Sequence, residues 1–187
     1  MDLKKYIREI PDWPKKGVNF KDITTLLEEP IVFQYVIDRL SAAYNKTKID
    51  KIVGIDARGF LLAGAMAYKL KTGISIARKK GKLPYRAISR KYSLEYASGV
   101  VEMHEGTIKK GEQILIVDDL IATGGTVMAA SELAEEMGGE IVGVAAIIDL
   151  PLTQLVDGDL LKIFAWYDNE YGYSNRLLEQ VINVGKS

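Results

Sequence analysis

Residues 117–126, which read VDDLIATGGT, constrain the fold of this chain more than any other segment. They follow the apolar run Ile114-Leu115-Ile116 and precede a helical pattern that begins near Val127. This order predicts a buried strand that ends in two adjacent carboxylates, followed by a Gly/Thr turn and the start of a helix. Backbone amides and the positive dipole end of a helix start bind anions, and carboxylates just upstream accept hydrogen bonds from sugar hydroxyls. The segment therefore predicts a sugar-phosphate site where a strand ends.

The same acidic pair also has a simpler interpretation. Asp118 and Asp119 at the end of a strand could only cap the next helix or hold a structural water. The Gly124-Gly125 pair favours the ligand interpretation, because glycine lets the backbone approach a phosphate closely. Thr123 and Thr126 add hydroxyl donors to the same turn.

Strand-like and helix-like segments alternate on both sides of this turn. Apolar runs predict strands at residues 51–55, 73–77, 114–117 and 141–148, and helical spacing predicts helices at residues 60–70 and 127–137. Short apolar strands separated by helices are typical of a mostly parallel sheet that helices cover on both faces, with ligands at the carboxyl ends of the strands. Gly138-Gly139 predicts the end of the helix after the Gly/Thr turn. The fold class is α/β.

The N-terminal segment contains two further helical patterns. A short first helix is predicted by apolar residues at helical spacing before Pro11, namely Leu3, Tyr6, Ile7 and Ile10. After a loop rich in proline and glycine, Pro30 stands where the first turn of a helix tolerates proline. The apolar face of this second helix comprises Phe33, Val36, Ile37, Leu40 and Tyr44.

The alternation stops between Arg78 and His104, where basic residues are mixed with glycine, proline and tyrosine. Residues 89–93 and 99–104 alternate enough to pair as a hairpin around residues 94–98, with Glu95 and Tyr96 near its tip. A mobile, basic flap suits a site that must close over a reactive polyphosphate.

Composition limits the remaining possibilities. The 187 residues are one domain's worth, and the balance of 25 Lys plus Arg against 25 Asp plus Glu gives no reason to expect nucleic acid or a membrane surface as partner. The absence of cysteine excludes disulfides and a thiol nucleophile and fits a reducing compartment. No apolar segment resembles a signal peptide or a membrane span. These features predict a single soluble, cytoplasmic domain over residues 1–187.

Four motifs in this chain resemble those of type I phosphoribosyltransferases, and in particular the adenine-specific branch. They are residues 117–126, residues 7–23 (IREIPDWPKKGVNFKDI), residues 54–60 (GIDARGF) and residues 92–96 (YSLEY). The motifs occur in family order, and the resemblance covers about residues 1–152. It implies a type I phosphoribosyltransferase fold with an N-terminal hood at residues 1–30 and a flexible flap hairpin at residues 79–104.

The resemblance also implies how the donor, phosphoribosyl pyrophosphate (PRPP), binds. Asp118 and Asp119 would hold the ribose hydroxyls. The 5-phosphate would be held, largely through backbone amides, by Ala122, Thr123, Gly124, Gly125 and Thr126. The pyrophosphate would meet Arg58 and a run of three further cations, one or more of which would act across a dimer interface: Arg78, Lys79 and Lys82. A charge run such as the last three is otherwise an ordinary solvated surface.

Purine recognition and catalysis fall to other residues by the same resemblance. Glu95 would exchange a proton with the purine and Tyr96 would pack on the donor, although a surface glutamate in a flexible segment can be merely solubilising. Phe20, which could equally be a core residue, would stack on the base with Leu150 on its other side. The base edge would be read by backbone groups near Asn19 and Lys21, where the family more usually has an apolar residue and an arginine. His104, the single histidine, is either a plain strand residue or a contact to pyrophosphate.

The implied reaction is transfer of the phosphoribosyl group from PRPP to adenine, which yields AMP and pyrophosphate in purine salvage. Magnesium would be carried by the substrate rather than by a protein cage, and the enzyme would be a homodimer. Two alternatives remain. The acceptor could be hypoxanthine or guanine, because Asn19 and Lys21 depart from the family pattern, or the chain could be a regulator that binds PRPP without turnover.

The C-terminal segment does not fit this family. Residues 153–187 resemble the last strand and helix of glyceraldehyde-3-phosphate dehydrogenase, which indicates a chimeric tail. A dehydrogenase activity is not expected, because the chain has neither a GxGxxG motif after a first strand nor a cysteine nucleophile. Locally, residues 160–166 predict a strand, and Ser174 can cap a following helix.

Overall fold

The computed structural model describes residues 1–94, 97–149 and 163–164. The helices are a 3₁₀ helix at Leu3–Tyr6, α1 (Thr24–Leu27), α2 (Pro30–Ala42), α3 (Gly59–Leu70) and α4 (Gly125–Glu136). The strands are β1 (Arg8–Ile10), β2 (Phe20–Asp22), β3 (Lys51–Ile55), β4 (Gly73–Lys79), β5 (Ala87–Leu94), β6 (Ala97–His104), β7 (Gln113–Val117), β8 (Leu120–Ile121), β9 (Glu140–Ala145), β10 (Ile148–Asp149) and β11 (Ile163–Phe164).

The main sheet has the strand order β11-β9-β7-β3-β4-β6-β5. Its four central strands, β9, β7, β3 and β4, are parallel, and β6, β5 and β11 are antiparallel to their neighbours. This arrangement confirms the mostly parallel α/β fold. The carboxyl ends of β3, β4 and β7 consequently lie side by side at one edge, where such sheets bind ligands.

Each face of the sheet carries its own apolar core, because successive strand residues point to opposite faces. Ile52 and Leu115 belong to a cluster with residues of α2 and α3, whereas Val53 and Ile116 belong to a cluster with α4 and the β5–β6 hairpin. All four residues are fully buried. Burial on both faces explains why these strands are continuous apolar runs rather than alternating patterns.

The predicted first helix is wrong beyond its first turn. The helix covers only Leu3–Tyr6, and Arg8–Ile10 is a strand that pairs antiparallel with β2, with Ile10 opposite Phe20. Strand pairing satisfies the backbone polar groups of this segment across the hairpin, and it overrides the local helical spacing. The apolar residues of that spacing still pack, since Leu3 is buried and Tyr6 and Ile7 contact the same core cluster. The hairpin fixes the position of Phe20.

The predicted strand at residues 141–148 is interrupted. β9 ends at Ala145, and the backbone amides of Ile147 and Ile148 both donate hydrogen bonds to the carbonyl oxygen of Asp119, each at 3.1 Å. The chain then forms β10, which pairs with β8 outside the main sheet. The interruption anchors the strand that carries the acidic pair.

The flap hairpin and the helix stop agree with the sequence-based predictions. β5 and β6 pair over their full length, and their outer strand packs on α4, where Arg90 forms ion pairs with Glu132 and Glu136 at 3.3 and 2.5 Å. Gly138, with φ of +92°, follows the end of α4. No helix in the described ranges is both long and apolar enough to cross a membrane.

Little of the C-terminal segment falls within the described residues. β11 at Ile163–Phe164 pairs antiparallel with β9, which confirms a strand within the predicted range 160–166. The helix predicted after Ser174 lies outside the described residues.

Candidate active site

A cavity of about 390 Å³ opens at the carboxyl ends of β3, β4 and β7. Its lining includes six of the residues predicted to bind the donor, namely Arg58, Arg78, Lys79, Asp118, Asp119 and Thr126. They come from three separate stretches of sequence, and the parallel sheet brings them together. The cavity lining therefore combines cations with carboxylates.

Asp118 and Asp119 form the acidic floor of this cavity. They are 8% and 6% exposed, and the backbone amide of Asp119 donates a 2.8 Å hydrogen bond to Oδ1 of Asp118. Burial raises the pKa of Asp118 to about 8, and repulsion from the Asp119 carboxylate adds to the rise. Burial and mutual repulsion thus disfavour simultaneous ionisation of the two carboxyls.

Arg58 connects the acidic floor to the hood. Its Nε atom lies 2.6 Å from Oδ2 of Asp119, and its guanidinium carbon lies 5.0 Å from the centre of the Phe20 ring. The Arg58 N–H is not directed at Oδ2, so no described residue donates a hydrogen bond to that buried oxygen. Oδ2 of Asp119 is thus engaged by an ion pair with Arg58 and keeps lone pairs that can accept a hydrogen bond.

Gly59 is a functional residue that the sequence reasoning missed. A Cβ atom at this position would lie 2.9 Å from both Oδ1 of Asp118 and the carbonyl oxygen of Val117. The first residue of α3 must therefore be glycine for the helix to start against the acidic pair. The available signal was a glycine directly after Arg58 at the start of a predicted helix.

Arg78 and Lys79 form the cationic wall at the end of β4. Nε of Arg78 donates to Oδ2 of Asp56 at 3.2 Å, and its terminal nitrogen donates to the carbonyl oxygen of Lys82 at 3.0 Å. Lys82 does not line the cavity, but its backbone carbonyl is bonded to Arg78, which does. Asp56, the first residue after β3, was not assigned a role from the sequence. It orients Arg78 by a charge-assisted hydrogen bond.

The Gly/Thr turn has the geometry of an anion site. Gly124 precedes α4 with φ of +80°, a conformation that favours glycine, and no side chain caps the helix. The first amides of a helix have no acceptor within it, so those of Gly125 and Thr126 are available to an anion. Ala122 and Thr123 are exposed at the turn.

In the hood, Phe20 contacts Arg58, and the two residues next to Phe20 in the sequence bond to a different side chain. Phe20 packs edge-on against Trp13, with ring centres 4.5 Å apart. The side chains of Asn19 and Lys21 both donate to the carboxylate of Glu9 on β1, Asn19 at 3.0 Å. These bonds, chiefly the one from Lys21, hold the pKa of Glu9 below its usual value. In this arrangement the side chains of positions 19 and 21 point to Glu9, which favours backbone groups for any contact to a base.

Three of the predicted site residues, Glu95, Tyr96 and Leu150, lie outside the described residues. His104 does not line the cavity. Its ring lies 6.5 Å from that of Tyr85 on the flap, and its Nε2 atom is buried without a partner among the described residues.

The raised pKa of Asp118 predicts how stability depends on pH. A carboxyl whose pKa is about 8 in the folded protein and 3.8 in the unfolded protein favours folding fully below about pH 4, and this contribution is lost as the pH rises to about 8. Asp118→Asn keeps an oxygen acceptor for the amide of Asp119 but has no charge to bury. We expect the free energy of unfolding of this variant to exceed that of the parent by on the order of 3 kcal/mol more at pH 8 than at pH 5. Thermal unfolding of both proteins without ligand measures this, and an equal difference at both pH values would contradict it.

Buried carboxylates, the first amides of α4 and three cations converge on one cavity that the β5–β6 hairpin borders. Such a cavity in a mostly parallel α/β sheet defines the phosphoribosyltransferase class. The chain matches the phosphoribosyl transferase domain family over residues 22–171.

Individual relatives identify the branch. The chain is 56% identical to an adenine phosphoribosyltransferase of Desulfosudis oleivorans, over 81% of this chain and 87% of that one. Among solved structures, adenine phosphoribosyltransferase from Rhodothermus marinus is 46% identical with a TM-score of 0.77, over 80% and 85% of the two chains. The enzyme from Saccharomyces cerevisiae, solved with an imino-altritol bisphosphate and adenine, is 34% identical with a TM-score of 0.75, over 85% and 96%. The chain belongs to the adenine phosphoribosyltransferase family.

Proposed function

We propose that this protein transfers the phosphoribosyl group of PRPP to adenine and releases AMP and pyrophosphate, a purine-salvage reaction. The observation that carries the proposal is the buried acidic pair Asp118 and Asp119, which lies in the same cavity as Arg58 and Arg78. An acceptor for a sugar hydroxyl next to two guanidinium groups matches a ribose that carries a pyrophosphate at its reacting carbon.

Asp118 and Asp119 hold the two ribose hydroxyls, and the turn at residues 122–126 holds the 5-phosphate. The two neighbouring ribose hydroxyls donate hydrogen bonds to the carboxyls, and these bonds offset the repulsion between the carboxyls. The phosphate is bound by the amides at the start of α4 and by the Thr126 hydroxyl. Fixing the sugar at both ends orients the anomeric carbon for attack by the base.

Stabilisation of the leaving group is the main electrostatic task. As the bond to pyrophosphate breaks, positive charge develops on the ribose ring and negative charge on the departing oxygens. Arg58, Arg78 and Lys79 supply cations at this position, with Lys82 next to them. Arg78 is already oriented by Asp56 before the donor arrives.

The donor would carry Mg²⁺ into the site. Asp56 is paired with Arg78 and Asp119 with Arg58, and no described group of three or more acidic, histidine or cysteine side chains is suited to a metal ion. Such carboxylates fit a metal that is held mainly by substrate oxygens and water. When bound, the ion neutralises charge on the pyrophosphate.

The purine would stack on Phe20, with backbone groups of Asn19 and Lys21 along its edge and Leu150 on its other face. Glu95 would exchange a proton with the base, and Tyr96 would help to exclude water. The last three roles follow from the family resemblance. Phe20 has direct structural support, because its ring is partly exposed and already contacts a cation of the donor site.

We also propose that residues 1–187 form one domain that acts as a cytoplasmic homodimer. The outer side of α3 exposes Leu61 (55%) and Tyr68 (90%), and this helix begins directly after Arg58. A second copy on this surface would cover both apolar side chains next to the site. The absence of cysteine fits a reducing compartment.

The direct test is AMP formation from adenine, PRPP and Mg²⁺, with hypoxanthine and guanine as competitors. We expect AMP and pyrophosphate in equal amounts, loss of turnover with a chelator, and little inhibition by the other two purines. Preferred use of hypoxanthine or guanine would show that the acceptor is that purine and not adenine. Binding of PRPP without turnover on any purine would instead indicate a regulator.

A further inference from the structure

Tyr92 lines the same cavity but has no role in the proposed function. It lies on β5 of the flap hairpin, and the cavity wall that it forms also includes Val101 on β6. The ring is partly buried against the apolar cluster that includes α4. Tyr92 is therefore a flap side chain that packs on the core and also borders the site.

Gly99 determines where the Tyr92 ring lies. The two residues are directly paired across β5 and β6, and a Cβ atom at Gly99 would lie 2.4 Å from both Cζ and the hydroxyl oxygen of Tyr92. The outer end of the ring thus lies flat over a strand position without a side chain. Any other residue at position 99 would push the ring away from its place on the cavity wall.

Among the lining residues, Tyr92 is the one from strand β5 and it carries a neutral hydroxyl group. No side chain among the described residues forms a hydrogen bond with it. Elsewhere in the lining, Arg78 is bonded to Asp56, and Arg58 contacts Asp119. A neutral hydroxyl donor that borders a site for a polyanion can bind an anionic oxygen without adding charge to the wall.

We propose that the Tyr92 hydroxyl donates a hydrogen bond to an oxygen of the bound phosphoribosyl donor, and that Gly99 holds the ring in position for this bond. The inference rests on the proposed function, since it takes PRPP as the ligand of the cavity. It adds a donor-binding residue on the flap strand, apart from Glu95 and Tyr96.

The test is PRPP binding to Tyr92→Phe, measured by calorimetry with Mg²⁺ and without a purine. This variant keeps the ring and its packing, so a purely structural role for Tyr92 would leave the affinity unchanged. We expect PRPP to bind about tenfold more weakly, because a hydrogen bond to a charged group is lost. Tyr35→Phe on α2 is the matched control and should bind PRPP as the parent does. Equal affinities for Tyr92→Phe and the parent would overturn the proposal, whereas a parent protein that does not bind PRPP would overturn the proposed function itself.

Separate titrations with pyrophosphate and with ribose 5-phosphate locate the oxygen. If only pyrophosphate loses affinity in Tyr92→Phe, the hydroxyl contacts the leaving group, and if only ribose 5-phosphate does, it contacts the sugar phosphate. Unchanged affinity for both, together with unchanged affinity for PRPP, contradicts the proposal.

Gly99→Ala tests the second half of the inference. We expect it to weaken PRPP binding at least tenfold and to lower the melting temperature, because the new methyl group displaces the ring. In a Tyr92→Ala background the same change should cost little stability, since the ring is absent. Gly73→Ala is the control for a strand glycine, because its Cβ would meet its nearest atom at an ordinary 3.8 Å. A stability loss that is equal in both backgrounds would show that Gly99 does not act through Tyr92.

Discussion

Replacing both Asp118 and Asp119 by asparagine is expected to lower kcat/KM for PRPP by roughly 10²- to 10⁴-fold. Each carboxylate accepts a ribose hydroxyl in the proposed complex, and a hydrogen bond to a charged group contributes about 1.5–3 kcal/mol. Two such bonds amount to about 3–6 kcal/mol, which converts to that range of rates. Steady-state AMP formation with varied PRPP measures the effect.

The control for this pair is Asp38→Asn on α2, an exposed carboxylate that pairs with Lys69. It should leave kcat/KM unchanged. The double variant should also be more stable than the parent in thermal unfolding although its activity falls, since the replacement removes buried charge. Near-normal turnover of the double variant would remove both residues from the donor site.

Arg58→Ala is expected to lower kcat/KM by roughly 10²- to 10³-fold, the scale found when one electrostatic donor to a developing charge is removed. Arg58 has two expected roles. It faces the expected pyrophosphate, and it is the cation next to Asp119. Its loss leaves the buried carboxyls without their nearest positive charge, so we also expect the unliganded protein to become less stable above neutral pH. Steady-state kinetics and thermal unfolding measure the two effects.

Arg58→Lys separates charge from geometry. Lysine keeps the positive charge but lacks the planar fork that binds two phosphate oxygens and stacks on an aromatic ring. We expect it to restore stability more than activity. Arg39→Ala, at the exposed end of α2, is the control for loss of an arginine. If Arg58→Ala retained kcat/KM within about threefold of the parent, a leaving-group role for this residue would be excluded.

Arg58 is engaged with Asp119 and Phe20 at the same time, so it occupies space between the expected sugar and base positions. Donor binding would draw its guanidinium toward the pyrophosphate. The carboxyl pair would then lose its neighbouring cation and gain hydroxyl donors in exchange.

Much of the site was predictable because its residues follow strands. Arg58, Arg78 and Asp118 each stand at or directly beyond the end of an apolar run, and parallel strands bring such positions to one edge. The two strands of the flap hairpin were also predicted, from the alternation along residues 89–93 and 99–104. Roles for Glu95, Tyr96 and Leu150 remain predictions, since these residues lie outside the described part of the chain.

The sequence by itself determined the alternation of strands and helices along the central part of the chain, the Gly/Thr turn before α4 and the position of the acidic pair at the end of a strand. These features depend on neighbouring residues and on backbone preferences. Tertiary structure alone decided that residues 8–10 form a strand, that Glu9 engages Asn19 and Lys21, that Gly59 must be small and that Tyr92 borders the cavity above Gly99. Each of these depends on contact between segments distant along the chain or paired across a hairpin. Local spacing carries no information about such contacts, since they form only when the sheet and the hood have assembled.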